Sequence, residues 1–156
     1  MSIRKILVPL SGKDGDAIAL DAAARLAAQF EAGIEGLYVS ASGDAALPFL
    51  GDTASSAVIE DILDRIEEEA EKNARKAASD FEKWRSGASL ADSSGAICVR
   101  ATGDRDAILA SHARCSDLIV TRAPQNEDDT GLAADIEAAL MGSGRPILLV
   151  PETVDD

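Results

Sequence analysis

Few side chains in this sequence could do chemistry, and none of them stands in a recognisable catalytic arrangement. His112 is the single histidine, and it precedes Ala113 and Arg114 in a helical pattern with no carboxylate at close sequence spacing. We interpret it as a packed or surface histidine rather than a general base. Ser11 and Ser143 each precede a glycine, but neither lies in the Gly-x-Ser-x-Gly turn of a serine hydrolase. The sequence therefore predicts no catalytic triad.

The cysteines and the first aspartates do not predict a metal site either. Cys98 and Cys115 form no Cys-x-x-Cys pair, so we interpret both as small buried apolar side chains. Asp14 and Asp16 flank Gly15 and could ligate a cation, but metal ions in proteins need more ligands than one pair of carboxylates. An exposed helix cap is the favoured interpretation of that pair. No metal and no disulfide framework are expected.

The charge of the chain argues against two classes of partner. Its 28 acidic and 15 basic residues give a formal net charge of −13, which repels nucleic acid and anionic membranes. We therefore expect no nucleic acid and no membrane partner, and we interpret the acidity as a source of solubility. With 156 residues, 46% of them apolar, the chain has the size of a single domain spanning 1–156. The apolar run near its start is too brief for a signal peptide, so a cytoplasmic protein is expected.

Apolar periodicity divides the chain into alternating strands and helices. Short β-rich runs predict strands at 3–10, 34–39, 96–101, 117–121 and 146–150. Helical spacing predicts a helix over 16–30 stopped by Gly33, a long helix capped by Thr53 after a loop at 40–52, a third helix capped by Asp104, and a last one that ends at 142–144. The apolar stripe of the long helix, Val58 to Trp84, could form a coiled-coil seam, but its place between strands favours packing on a sheet. The order βαβαβαβαβ predicts an α/β fold, a doubly wound open five-stranded parallel sheet with four helices.

In doubly wound sheets, ligands bind outside the carboxyl ends of the strands, at the point where the strand order reverses. Two loops of this sequence are expected at that point. They are 9–15, after the first strand, and 121–131, after the fourth. Any binding site is therefore predicted between these loops.

Four segments, in this order, resemble the universal stress protein domain over nearly the whole chain. They are Lys5-Ile-Leu-Val-Pro9, Gly103-Asp-Arg-Asp-Ala-Ile108, Asp117-Leu-Ile-Val120 and Arg145-Pro-Ile-Leu-Leu-Val-Pro151. The resemblance implies a Rossmann-like fold of the adenine nucleotide alpha hydrolase type. For nucleotide-binding members it also implies Pro-x-Asp at the end of the first strand and, after the fourth, a Gly-x-x-Gly followed by Gly-Ser or Gly-Thr. Glycines there let backbone amides approach phosphate oxygens without Cβ clashes.

This sequence departs from that pattern at each of these positions. Ser11 replaces the aspartate, Arg122 and Gln125 replace the first two glycines, and Ala133-Ala134 replaces the last pair. The loop has instead three successive carboxylates, Glu127, Asp128 and Asp129, which would repel a triphosphate at contact distance. ATP binding in the family's usual mode is therefore not expected, although Arg122, Ser11 and Lys13 could reach a monophosphate or another small anion.

Two functions remain open. The first is a non-enzymatic stress-response binding or signalling module without a cofactor. The second is a nucleotide-binding switch for ATP or AMP with little or no hydrolysis. Its pocket would use Pro9, Leu10, Ser11 and Val39 for base and ribose, and Arg122 for phosphate. The resemblance also implies a homodimer paired through the last strand, Ile147 to Val150, whose branched apolar side chains would form an exposed sheet edge.

Overall fold

Strands and helices alternate along the chain as the apolar pattern predicts. The computed structural model describes residues 2–41, 55–88, 95–126 and 129–152. The elements in this part of the chain are β1 (Lys5–Leu10), α1 (Asp16–Phe30), β2 (Gly33–Ala41), α2 (Ser56–Gly87), β3 (Ala96–Gly103), α3 (Arg105–Arg114), β4 (Leu118–Arg122), α4 (Thr130–Ser143) and β5 (Ile147–Val150). The predicted fold class is confirmed: the five strands form one parallel sheet, and the four helices are its crossovers.

The strand order places the carboxyl ends of β1 and β4 side by side. The order is β3-β2-β1-β4-β5. Strands β2 and β3 therefore lie on one side of β1, and β4 and β5 lie on the other. Ile6 of β1 pairs with Ile34 of β2 on one side and with Leu118 of β4 on the other. The order therefore reverses between β1 and β4, where the sequence predicted the ligand edge.

Each face of the sheet carries its own apolar core, because successive side chains of a strand point to opposite faces. On the face covered by α1 and α2, Ile6 and Val8 pack with Phe81, which is fully buried. On the face covered by α3 and α4, Leu7 packs with Leu109 and Ile119. The central strand β1 is therefore apolar on both sides, as expected of a buried parallel strand.

The long helix α2 uses only its second half to fill the core. Its buried residues are Ala74, Ala77 and Phe81, whereas Val58 near its start is 50% exposed. The apolar stripe predicted to pack along the whole helix is thus buried only where the helix crosses the sheet. Thr53 and positions 42–52 of the predicted loop lie outside the described residues, and Ser40 and Ala41 of that loop belong to β2.

Two local predictions are wrong. The helix predicted over 16–30 has those bounds, but the residue that stops it is not Gly33: Glu31 takes the left-handed conformation (φ 55°), and its N–H donates to the Ala27 carbonyl. Gly33 begins β2 instead, since its N–H donates to the Arg4 carbonyl across the sheet. Both cysteines were predicted to be buried, but Cys115 is exposed and Cys98 is half-buried. Cys115 is the residue that caps the end of α3, so it does not face the core. The predicted cap at Asp104 and the stop at Gly144 (φ 65°) are confirmed.

Gly36 offers a test of how tightly the first core is packed. A Cβ at Gly36 would lie 2.7 Å from Phe81 Cε2 and 3.0 Å from Leu10 Cδ1. We expect Gly36→Ala to lower the free energy of unfolding by about 1–3 kcal/mol through overpacking, measured by urea denaturation. Gly131→Ala is the matched control, because a Cβ there meets nothing within 4 Å and α4 gains helix propensity. Equal stability of the two variants would contradict the prediction.

Candidate functional site

A cavity of about 230 Å³ opens at the carboxyl ends of β1 and β4. Four of the predicted pocket residues line it, namely Pro9, Leu10, Ser11 and Arg122. The structure adds further lining residues that the sequence did not single out as pocket residues, among them Gly15, Ala19, Tyr38, Arg105, Thr121, Leu132 and Asp135. Val39 does not line it. The Val39 side chain points to the opposite face of the sheet and packs in the core beneath α3 and α4. Tyr38 lines the cavity where the sequence predicted Val39.

The loop after β1 is closed by a carboxylate from its own chain. Asp16, in the first turn of α1, accepts hydrogen bonds from the Ser11 amide at 2.9 Å, the Ser11 hydroxyl at 2.7 Å and the Gly12 amide at 2.8 Å. Gly12 has φ +75°, a left-handed conformation that glycine adopts without strain. The interpretation of Asp14 and Asp16 as an exposed cap is therefore wrong for Asp16, although Asp14 is fully exposed and pairs with Lys76. Backbone amides that an anionic ligand could use already bind Asp16.

A second internal carboxylate occupies Arg122. The two guanidinium nitrogens Nη1 and Nη2 of Arg122 each donate to Asp129 at 2.9 Å, and the Gln125 amide donates to the same carboxylate at 3.0 Å. The hydrogen bonds from Arg122, followed by that from Gln125, lower the pKa of Asp129 to about 2. Of the three predicted repulsive carboxylates, Asp129 is thus neutralised by an ion pair, and Glu127 and Asp128 lie outside the described residues.

Arg105 is the residue of the site that the sequence analysis missed. Its guanidinium donates to Asp135 at 2.6 and 2.7 Å and to the Val39 carbonyl at 2.7 Å. Two signals in the sequence could have revealed this pair. Arg105 lies in the Gly-Asp-Arg-Asp-Ala segment that carries part of the family resemblance, and Asp135 interrupts the apolar stripe of α4 between Leu132 and Ile136.

The residues at the start of α4 differ from those predicted. The helix begins at Thr130, so Ala133 and Ala134, predicted at the place of the family's last pair, lie inside it. Ala134 lines a groove between α3 and α4, and Gly131 lines the cavity instead.

The charges that line the cavity balance one another. Among the residues that the structure describes, three cationic and three anionic side chains face it, and they are Lys13, Arg105, Arg122, Asp16, Asp129 and Asp135. Tyr38 adds no charge at neutral pH, because a tyrosine hydroxyl is protonated there, and burial raises its pKa further. A ligand with several negative charges would meet a site with no net positive charge to offset them.

His112 lies near the opposite end of the strands, away from the cavity. Its Nδ1 is 2.5 Å from Glu35 Oε1, and Lys5 Nζ is 2.7 Å from Glu35 Oε2. Burial alone would raise the pKa of the Glu35 carboxyl, but the hydrogen bonds from Lys5 and His112 outweigh it and hold the pKa below its ordinary value. The sequence shows no carboxylate close to His112, but the fold brings Glu35, 77 residues away, into contact with it. His112 and Lys5 thus both contact the buried Glu35 carboxylate. This is a structural role, as the sequence predicted for a packed histidine.

Within the described ranges, no group of three or more His, Cys, Asp and Glu side chains is arranged to hold a metal ion. None of the helices described is both long and apolar enough to cross a membrane.

Comparison with known proteins identifies the fold. No family model matches the sequence, and no curated protein matches it. Among solved structures, the universal stress protein UspA from Lactobacillus plantarum is 16% identical with a TM-score of 0.62, covering 96% of this chain and 99% of that one. A protein of the universal stress protein family from Burkholderia pseudomallei is 21% identical with a TM-score of 0.55, covering 96% and 97%. A universal stress protein in complex with cAMP is 16% identical with a TM-score of 0.60, covering 98% and 100%. The predicted resemblance is therefore confirmed for the fold.

The pKa of Asp129 tests the central contact of the site. Because the folded value of about 2 lies below the ordinary value of 3.8, the ion pair stabilises the protein above pH 3.8 and loses its effect as the pH falls through about 2. We expect carbon-13 NMR to show Asp129 titrating near 2, and the Arg122→Gln variant to move its pKa up toward 3.8. Arg65→Gln, on the exposed face of α2, should leave it unchanged. An ordinary pKa in the unmodified protein would contradict the contact.

Proposed function

We propose that this protein is a non-enzymatic stress-response module that works by binding or signalling, and that its cavity does not take ATP in the usual mode of universal stress proteins. One observation carries the proposal. The two arginines and the turn amides at the ligand edge are already paired with carboxylates of the same chain. We place this module in the cytoplasm.

The pairing sets the energetic barrier for a triphosphate. To reach Arg122 the ligand would have to displace Asp129, and to reach the Ser11 and Gly12 amides it would have to displace Asp16. Each displacement exchanges a charge-assisted hydrogen bond for a similar one and gains little. The remaining negative charges of the triphosphate would then face Asp135 and the displaced carboxylates, which opposes binding.

The chemistry of the cavity supports a non-enzymatic role. The three carboxylates that line it are engaged with Arg105, Arg122 or the loop amides, so none of them is positioned as an unpaired general base. His112 is bound to Glu35 near the other end of the sheet. In the described part of the cavity the Ser11 hydroxyl does contact a carboxylate, that of Asp16, at 2.7 Å. The Ser11 and Gly12 amides bind the same carboxylate, so Asp16 closes the loop and is not free to act as a base.

The exposed edge of the sheet supports the homodimer through Ile147 to Val150. The strand β5 lies at one edge, and its Leu148 and Leu149 are 39% and 43% exposed on its two faces. Pairing β5 with a second copy would satisfy the strand's free backbone groups and bury these side chains.

A nucleotide-binding switch is the second candidate, and the cavity favours a nucleotide with few charges. The walls formed by Pro9, Leu10 and Leu132 are apolar, and the Lys13 ammonium has no ion-pair partner among the described residues. A structure of the same fold is a complex with cAMP. This site would hold such a ligand by apolar contacts and by one cation. For AMP or ATP, the sequence predicted that Arg122 is the cation that contacts the phosphate.

Calorimetry separates the two candidates. We expect ATP to bind the protein more weakly than about 100 μM, or about −5.5 kcal/mol, because its phosphates must displace internal carboxylates. AMP and ADP are titrated alongside, and the Arg122→Gln variant shows whether any heat comes from the cavity. Tighter ATP binding that Arg122→Gln abolishes would overturn the first candidate in favour of the switch.

The dimer is tested by light scattering at micromolar protein. The expected mass is twice the 16.2 kDa of one chain, and Leu149→Lys should shift it to the monomer because the lysine charges would be brought together at the paired edge. Val58→Lys is the control, since Val58 is similarly exposed but lies on α2. A monomeric mass for the unmodified protein, or a Leu149→Lys variant that stays dimeric, would contradict pairing through β5.

A further inference from the structure

We propose that Asp129 is an exchangeable internal anion, and that a ligand with a small phosphate group enters the cavity by replacing the Asp129 carboxylate on Arg122. The inference rests on the proposed function, in which the cavity binds a ligand without transforming it. It adds the class of ligand and the contact that controls its entry.

Asp129 is the one carboxylate of the three that lies outside a helix. Asp16, in the first turn of α1, is held by the Ser11 hydroxyl and by two backbone amides, and Asp135 is among the buried residues of α4, with a side chain that is 9% exposed. The Asp129 side chain is 21% exposed and lies on the segment between β4 and α4. Turning it into solvent therefore moves a residue of the loop and starts from a less deeply buried position than that of Asp135.

The contacts of Asp129 are also local. Its hydrogen bonds come from Arg122, seven residues before it, and from Gln125, four residues before it. Although Asp129 directly precedes α4, its side chain makes no capping hydrogen bond to the helix. Releasing Asp129 thus breaks one ion pair and one loop contact without disturbing the helix or the sheet.

Arg122 has a support that does not depend on Asp129. Its side chain crosses the backbone of Gly15 so closely that a Cβ there would lie 2.6 Å from Arg122 Cδ and 2.7 Å from Nε. The stem is therefore confined between β4 and the start of α1. When Asp129 leaves, the guanidinium fork remains at the cavity, and a phosphate presents it with the same pair of acceptor oxygens as a carboxylate.

The charges that line the cavity favour a phosphate monoester over a triphosphate. With Asp129 in place the charges of the described lining residues cancel, and without it the same residues sum to one positive charge, with Lys13 and Arg122 nearest the vacated position. A phosphate monoester or free phosphate matches that charge far better than a triphosphate. The cavity of about 230 Å³ also suits a phosphate with a small organic group.

The test compares phosphate binding by variants that differ in charge at one position. Inorganic phosphate and AMP are titrated at constant ionic strength into the unmodified full-length protein, Asp129→Asn and Asp14→Asn. Asp14→Asn removes the same charge, but Asp14 is fully exposed, pairs with Lys76 and does not line this cavity. We expect Asp129→Asn to bind phosphate about tenfold more tightly than either of the others, which corresponds to losing one modest competing ion pair.

A double variant locates the gain. Asp129→Asn combined with Arg122→Gln should lose the added affinity, and Asp129→Ser serves as a second single variant should the asparagine protein fail to fold. The inference is overturned if folded Asp129→Asn and Asp129→Ser bind phosphate no better than Asp14→Asn, or if the gain survives the loss of Arg122. Either result leaves the proposed function standing, which only tight ATP binding by the unmodified protein overturns.

Discussion

The pair of Arg105 and Asp135 joins the elements that surround the cavity. Arg105 stands at the first position of α3, Asp135 is buried in α4, and the Val39 carbonyl that accepts the third hydrogen bond belongs to β2. A buried carboxylate without a partner would be strongly destabilising, so α4 can pack here only with Arg105 in place. That constraint fixes α3, α4 and the end of β2 relative to one another, and with them one wall of the cavity.

Satisfying the charges of the cavity from within has a consequence for recognition. A site whose donors point at water gains a charge-assisted hydrogen bond when an anion binds. A site whose donors already bind carboxylates gains only the difference in free energy between the hydrogen bonds to the two anions. Asp16 and Asp129 therefore convert two positions that could attract phosphate into positions where phosphate must compete. Under the proposed function, the internal pairing by itself would favour weakly charged ligands, without steric exclusion.

The sequence predicts the fold better than the site, for a physical reason. The order of strands and helices, the cap at Asp104 and the turn at Gly144 depend on neighbouring residues and are confirmed, whereas the helix stop at Gly33 is not. The site depends on contacts between distant positions, such as Arg105 with Val39, which no local pattern encodes. The alternation of side chains along β2 could have excluded Val39 and chosen Tyr38, because Leu37 and Val39 share the face opposite Tyr38.

The two edges of the sheet are treated differently, and the difference bears on assembly. At the β3 edge, α2 supplies side chains to the strand: Arg85 donates to the Ala96 carbonyl, and Arg100 of β3 forms an ion pair with Glu71. Charged side chains of this kind disfavour pairing with another strand. The edge at β5 consists of Ile147, Leu148, Leu149 and Val150 and carries no charge of its own. Of these two edges, only β5 consists of uncharged residues, and this is why the proposed dimer is placed there and not at β3.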